Sequence, residues 1–176
     1  VLTGRNEAYY TDYLGRAQEF VSALKYGYLY QGQRYKWQKA RRGCPTFGLP
    51  PQAFICFSEN HDQVANSPRG WRAHQLTSPG RHRALTALWA LAPGTPLVFQ
   101  GQEFSASAPF LYFADHEDDL RDQVRAGRRA ELRHFRGLSA RDASECFDDP
   151  CAEDTFQRCK LDWNELVQHP QAYAMH

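Results

Sequence analysis

Two apolar runs, each followed at once by polar side chains, constrain the fold of this chain more than any other feature. The run AFICF occupies positions 53–57 and continues into SENHDQ, and the run TPLVF at 95–99 continues into QGQE. Short, uninterrupted apolar runs are typical of strands buried on both faces, as in a parallel sheet. We therefore expect two neighbouring strands whose carboxyl ends carry the polar clusters.

A helix is expected between the two strands. Ser78 and Pro79 suit the N-cap and the first turn of a helix, and Pro93 followed by Gly94 would end it. The apolar residues in between recur at helical spacing: Leu85, Leu88, Trp89 and Ala92. Strand, helix and strand in this order predict an α/β fold with a parallel sheet.

Three further segments carry helical signals. Apolar residues recur at helical spacing from Asp12, a candidate N-cap, to Gly27, a candidate terminator. The acidic run 117–119 suits the start of a charged helix, and the stretch 160–173 contains a last helix start. The segment 31–51 shows no period and ends in glycines and prolines, so we expect it to be a long loop.

Composition limits the class of protein and of partner. The 176 residues are 42% hydrophobic, which suits one packed domain, and the formal net charge is +1. A balanced charge offers no field that would attract nucleic acid or an anionic membrane, so we expect a neutral partner. No apolar run approaches the ~18 residues of a membrane span and the N-terminal residues do not resemble a signal peptide, so we expect a cytoplasmic location.

The cysteines do not suggest a disulfide framework or a zinc site. Their number is odd and no C-x-x-C pair occurs, which favours reduced thiols. They are Cys44, Cys56, Cys146, Cys151 and Cys159.

The polar clusters at the strand ends are the candidate site. Parallel strands place ligand sites at their carboxyl ends, so Asp62 and Glu103 would share one face. Carboxylates and amides in a row, near amphipathic aromatic rings, suit a neutral ligand rich in hydroxyl groups. Two simpler interpretations stay open: Asp62 caps backbone amides and His61 is structural. A metal site is a further alternative, with these candidate ligands: His61, Asp62, Glu103 and His116.

The motifs of this chain resemble a known family. F-x-x-N-H-D at 57–62, with GQEF at 101–104, resembles the α-amylase superfamily of glycoside hydrolases. Longer segments resemble the malto-oligosyltrehalose trehalohydrolase family within it: LTGRNEAYYTDY, YQGQRY, NHDQVANS, TPLVFQGQEFSASAPFLYFADHED, RRAELRHF and TFQRCKLDW. The resemblance extends over nearly the whole chain.

The resemblance implies a fold, a reaction and partners. The fold would be a partial (β/α)8 TIM barrel of the glycosidase type, made of strands seven and eight with flanking helices. Residues 1–138 would be the C-terminal portion of the catalytic barrel, and 139–176 an extension toward a missing β domain. These enzymes cleave the α-1,4 bond next to the trehalose end of maltooligosyl trehalose. The implied partners are that substrate, related α-1,4-glucans and the remainder of the barrel, and no cofactor or metal is implied.

The resemblance also implies site residues. Asp62 would be the third carboxylate of the site, which stabilises the transition state, with His61 as a substrate contact. Further substrate-binding residues carried over from the family are Gln63, Asn66, Glu103, Arg5 and Tyr9.

This chain departs from the family pattern in three respects. Ala65 stands where many members have glycine, and Ser67 and Pro68 follow Asn66. The family's nucleophile and acid carboxylates come from strands four and five, which this chain lacks, so we expect it to be inactive alone. Two alternatives stay open: a non-catalytic maltooligosaccharide-binding remnant, and a small independent hydrolase that uses Asp62 and Glu103 as its acid and nucleophile.

Overall fold

The computed structural model describes residues 10–135 and 146–174. The described residues form two compact units. The first unit draws on Val1–Ser58 and Thr77–Leu97, and the second on Glu59–Leu76 and Val98–His176. The predicted domain boundary between 138 and 139 lies outside the described residues.

The first unit begins with helix α1, Ala17–Tyr26. The predicted N-cap at Asp12 is wrong, because the helix starts later and the Glu19 carboxylate accepts the backbone N–H groups of Leu14 (2.7 Å) and Arg16 (3.1 Å). The predicted end is confirmed, since Gly27 adopts a left-handed conformation with φ of 85°. A Cβ at this glycine would lie 2.3 Å from the Phe54 ring, so both the backbone and the packing require glycine.

The expected long loop contains a small hairpin. Strands β1, Arg34–Tyr35, and β2, Ala40–Arg41, pair antiparallel. Two-residue strands show no measurable period in a sequence, which is why the hairpin was not predicted. Tyr35 is 2% exposed and packs edge-on against Tyr30, which anchors the hairpin.

The predicted parallel sheet is confirmed, although it is short. Strand β3, Ile55–Cys56, pairs in parallel with β4, Thr95–Pro96, and the N–H of Leu97 extends the ladder to the carbonyl of Cys56 (2.8 Å). The expected burial of both faces is wrong here, since Ile55 is 58% exposed. In the described chain the sheet has two strands, so no third strand flanks this residue.

Helix α3, Pro79–Ala90, connects the two parallel strands, as predicted. The Ser78 hydroxyl accepts the N–H of Arg81 (3.4 Å), which confirms the predicted N-cap. Trp89 is buried within this unit, whereas Leu88 on the predicted apolar stripe is 38% exposed.

The second unit is mainly helical. It contains α2, His61–Ala65; α4, Asp118–Leu132; α5, Glu153–Arg158; α6, Glu165–Gln168; and α7, Pro170–Tyr173. The charged helix predicted after 117 and the last helix start in 160–173 are therefore confirmed, while α5 was not predicted. The core of the unit includes Phe104, Leu111, Leu132 and Phe135. None of the described helices is long and apolar enough to cross a membrane.

Candidate active site

The first polar cluster begins helix α2, and two of its amides hold that helix start together. Asn60 Oδ1 accepts the backbone N–H of Asp62 (2.8 Å), and Gln63 Oε1 accepts the backbone N–H of Asn60 (2.9 Å). This reciprocal arrangement is a capping box. The side chain that caps the backbone here is therefore Asn60, and not Asp62 as one interpretation of the sequence predicted.

The carboxylate of Asp62 and the imidazole of His61 project from the first turn of α2. Their side chains are 65% and 67% exposed, and His61 Nε2 lies 3.4 Å from Asp62 Oδ1. A protonated His61 would form an ion pair at this distance, and a neutral one would orient the carboxylate. Both side chains are thus available to a ligand.

The other two predicted contacts of this cluster are partly committed to the local fold. The carbonyl oxygen of Gln63 is used in the capping box, so its amide nitrogen is the part that can still donate to a ligand. The backbone N–H of Asn66 donates to the carbonyl of Asp62 (3.1 Å) and ends the helix, while its side chain is half-buried.

The second polar cluster forms a tight turn after β4. Gly101 has a φ of 80°, and the 3-10 turn Gln102–Phe104 follows it. A Cβ at Gly101 would approach Leu161 at 2.7 Å and Ala106 at 2.8 Å, so the turn is closely packed. Glu103 is half-buried in this turn, and its Oε2 is buried without a hydrogen-bond partner among the described residues.

Both clusters belong to the second unit, where a buried arginine contacts the loop of the second cluster and the next residue contacts the loop of the first. Arg72 is 0% exposed and donates to the backbone carbonyls of Gln100 (2.7 Å) and Ala108 (2.8 Å). The neighbouring backbone N–H of Ala73 donates to the carboxylate of Glu59, directly before the first cluster. No hydrogen bond joins Asp62 to Glu103 within the described part of the chain.

Burial shifts the pKa values of Glu59 and Arg72, each toward its uncharged form. Glu59 is 3% exposed, and desolvation raises the pKa of its carboxyl above the usual range, although the Ala73 N–H and the charge of Arg72 act in the opposite sense. Desolvation likewise lowers the pKa of Arg72, and the nearby carboxylates of Glu59 and Glu103 oppose that shift. Neither residue was predicted as part of the site, although Glu59 directly precedes the N-H-D motif.

A second buried arginine holds the far end of α2. Arg128 of α4 is 7% exposed, and its Nη2 donates to the backbone carbonyls of Ala65 (3.1 Å) and Ser67 (2.8 Å). Its Nη1 pairs with Glu131 Oε2 (2.9 Å). The sequence indicated only a charged helix here, because a helical pattern does not show which single arginine turns inward.

Two predicted site residues and the metal alternative remain to be placed. Arg5 and Tyr9 lie outside the described residues. Within residues 10–135 and 146–174, no group of three or more His, Cys, Asp or Glu side chains is arranged to hold a metal ion. The metal alternative that combined Asp62 and Glu103 with His116 is therefore not supported by the geometry.

Comparison with known proteins identifies relatives of the chain over most of its length. No family model matches the chain. Malto-oligosyltrehalose trehalohydrolase of Deinococcus radiodurans is 40% identical over 166 residues, which cover 93% of this chain and 27% of that protein. The enzyme of the same name from Mycobacterium tuberculosis is 33% identical over 93% of this chain and 28% of its own length. That from Saccharolobus solfataricus is 32% identical over 92% of this chain and 27% of its own length.

A solved structure agrees with these relatives. The 1.4 Å crystal structure of a Salmonella typhimurium protein provisionally assigned as an α-amylase matches with a TM-score of 0.83 and 36% identity. The match covers 99% of this chain and 29% of that one.

These comparisons define the class: the chain is a relative of the α-amylase-type glycoside hydrolases. Within that class, the resemblance to malto-oligosyltrehalose trehalohydrolase predicted from the sequence is confirmed. The chain spans little more than a quarter of the length of these relatives.

Proposed function

We propose that this chain supplies one wall of the active cleft of a glycoside hydrolase that cleaves the α-1,4-glucosidic bond next to the trehalose end of maltooligosyl trehalose. The product would be trehalose, as in trehalose biosynthesis, and the substrate class would be α-1,4-glucans. The chain would act together with the remainder of a (β/α)8 barrel, in which β3 and β4 are strands seven and eight. We propose no cofactor for this reaction.

One observation carries the proposal: the carboxylate of Asp62 is not used by the local fold. Asn60 and Gln63 complete the helix start, so Asp62 has no capping role and remains 65% exposed. Glycoside hydrolysis passes through an oxocarbenium-like transition state with positive charge on the sugar ring. An exposed carboxylate can stabilise that charge and accept hydrogen bonds from sugar hydroxyls.

The remaining residues take supporting roles in this proposal. His61 Nε2 lies 3.4 Å from Asp62 Oδ1 and can orient the carboxylate, while the other ring nitrogen faces a sugar hydroxyl in this proposal. Gln63 and Asn66 would contact the same sugar, and Glu103 would contribute from the loop after β4. Arg5 and Tyr9 are proposed as contacts from the resemblance alone.

We expect the chain to be catalytically inactive on its own. A retaining glycosidase needs a nucleophile and an acid carboxyl about 5–5.5 Å apart. In the proposal Asp62 is neither of them, so the covalent step and the protonation of the leaving group require carboxylates from another part of the barrel.

A chimera between this chain and a relative tests the proposed function. The matching stretch of the Deinococcus radiodurans enzyme, which is 40% identical, would be replaced by this chain, and trehalose release from maltooligosyl trehalose would be measured. We expect the chimera to release trehalose and Asp62→Asn to reduce kcat by at least about a hundredfold. A folded chimera whose activity is insensitive to Asp62→Asn would contradict the proposal.

The isolated chain distinguishes the two alternatives. Both alternatives require the two polar clusters to lie in one compact unit, as they do, and the first alternative is a binding-only remnant. It predicts saturable maltooligosaccharide binding without product, in the chain and also in a chimera that folds but does not turn over. The small-hydrolase alternative predicts trehalose release by the chain alone that is lost in both Asp62→Asn and Glu103→Gln.

A further inference from the structure

We propose that Arg72 is a positioning residue that fixes the spacing between the two polar clusters, the loop with Asp62 and the loop with Glu103. This inference rests on the proposed function for its meaning, but its contacts are independent of any reaction. Arg72 itself is 0% exposed, so it touches no substrate and acts only through the loops that it holds.

The first step of the argument is the contact of Arg72 with the second cluster. Its Nε donates to the carbonyl of Ala108 (2.8 Å) and its Nη1 to the carbonyl of Gln100 (2.7 Å). These two carbonyls lie at either end of the loop that contains Gly101 and Glu103. A planar guanidinium with donors in a fixed fork can hold both ends of the loop at one separation.

The second step is the contact with the first cluster. The backbone N–H of Ala73, next to Arg72 in the chain, donates to the carboxylate of Glu59. Glu59 directly precedes Asn60, whose side chain caps the helix that carries Asp62. The chain of contacts therefore runs from Asp62 through Asn60, Glu59 and the Arg72–Ala73 backbone to the second loop.

Gln75 reinforces this link from the surface. Its Oε1 accepts the backbone N–H of Arg72 (2.9 Å), and its Nε2 donates to the carbonyl of Ser107 (3.3 Å). Gln75 is exposed, so its side chain can be removed without opening a cavity in the core.

The cost of burying the Arg72 charge is offset only in part, because desolvation still lowers its pKa. The carboxylates of Glu59, Glu103 and Glu165 stabilise the buried guanidinium electrostatically. None of the hydrogen bonds found for Arg72 in the described structure goes to a carboxylate, and both of its side-chain bonds reach backbone carbonyls. This geometry is that of a group which fixes backbone segments, and it leaves the Glu103 carboxylate unpaired with the arginine.

Arg72→Lys tests the inference, because lysine keeps the charge but an ammonium group on a flexible stem cannot replace the two-pronged fork. The control is Leu132→Ala, which removes a buried side chain of the same unit that offers no hydrogen bond to either loop. Amide hydrogen exchange would be followed in the purified 176-residue chain, and maltoheptaose binding would be titrated in the same samples.

We expect Arg72→Lys to speed exchange in residues 100–108 about tenfold beyond the change in Leu132→Ala, and to weaken maltoheptaose binding by a similar factor. Leu132→Ala should lower thermal stability while leaving the affinity of its folded form unchanged. Equal acceleration of exchange in 100–108 in the two variants would overturn the inference, since it would reduce Arg72 to an ordinary buried residue.

If Arg72→Lys does not fold, Gln75→Ala decides the question from an exposed position. We expect faster exchange in the same segment 100–108, by a smaller factor, and an unchanged rate there would overturn the inference. A chain that binds no maltoheptaose but shows the expected exchange pattern would defeat the proposed sugar site and leave the role of Arg72 in place. A chain that binds maltoheptaose but lacks the expected exchange pattern would overturn the role of Arg72 and leave the proposed sugar site in place.

Discussion

Arg128 provides the sharpest test of how the second unit holds its site helix. Its guanidinium donates to the carbonyls of Ala65 and Ser67, which are residues at or just after the end of α2. Both of those residues are 7% exposed, so water has little access to the two carbonyls when the arginine is removed. Arg128→Met keeps most of the side-chain length and apolar volume but deletes every donor.

The expected loss follows from these contacts. A hydrogen bond from a charged donor contributes about 1.5–3 kcal/mol, and two such bonds disappear. Removing a desolvated guanidinium returns part of that energy, so we expect Arg128→Met to lower the free energy of unfolding by about 3 kcal/mol. Loss of the ion pair between Arg128 and Glu131 matters less, because the side chain of Glu131 is 36% exposed and its carboxylate can be hydrated in the variant.

Urea denaturation followed by circular dichroism measures this loss. The control is the same change at the next position, Arg129→Met, because Arg129 is exposed and lies over the Phe147 ring at 4.2 Å. We expect the control to lose less than about 1 kcal/mol. A difference between the two variants below about 0.5 kcal/mol would refute the idea that the buried carbonyl contacts stabilise this unit.

Two further predictions concern the backbone and pH. Gly27→Ala should destabilise the chain by more than about 1 kcal/mol, because φ is 85° and the new Cβ would clash with the Phe54 ring. Gly127 lies within helix α4 with open space beside it, so Gly127→Ala should stabilise the chain by about 0.5–1 kcal/mol. Urea midpoints measure both, and a Gly27→Ala midpoint at or above wild type would contradict the strain argument. Burial raises the pKa of Glu59 in the folded state, so the fold disfavours its charged form. The stability of the chain should therefore fall as pH rises above the pKa of the unfolded chain's glutamate, about 4.3. Glu59→Gln should therefore gain stability over wild type between pH 4 and pH 7, and a pH-independent difference would contradict this sign.

The elements that the sequence predicted well are those with a strong local signal. The helix after Ser78 has a side-chain cap and the helix after Glu117 has carboxylates in its first turn, and both are present within two residues of the expected start. The parallel pairing of β3 and β4 is a consequence of the strand, helix, strand order and is confirmed. The N-cap predicted at Asp12 is wrong because the local pattern was misleading there. The backbone N–H groups before α1 donate to the carboxylate of Glu19 and not to Asp12.

The site was predictable in part for a related reason. His61 and Asp62 sit in a short motif at a strand end, and their exposure on the first turn of α2 agrees with a ligand-binding role that stays a proposal. The four-residue cluster also divides in a way that the sequence did not reveal. Asn60 and Gln63 serve the helix start, and this division leaves the carboxylate and the imidazole available to a ligand.

The two arginines that the sequence did not single out share a physical property: the guanidinium of each donates to backbone carbonyls. Arg72 and Arg128 each donate to carbonyls that lie far away in the chain, and a carbonyl is present at every position, so no side-chain pattern marks the receiving residues. Most arginines of a soluble chain are exposed, which makes an exposed position the natural expectation for each of them. A buried arginine that donates to two carbonyls is nevertheless sensitive to geometry, since its planar donors fit one separation of those carbonyls. For this reason a lysine at either position should keep the charge and still lose the arrangement of the site.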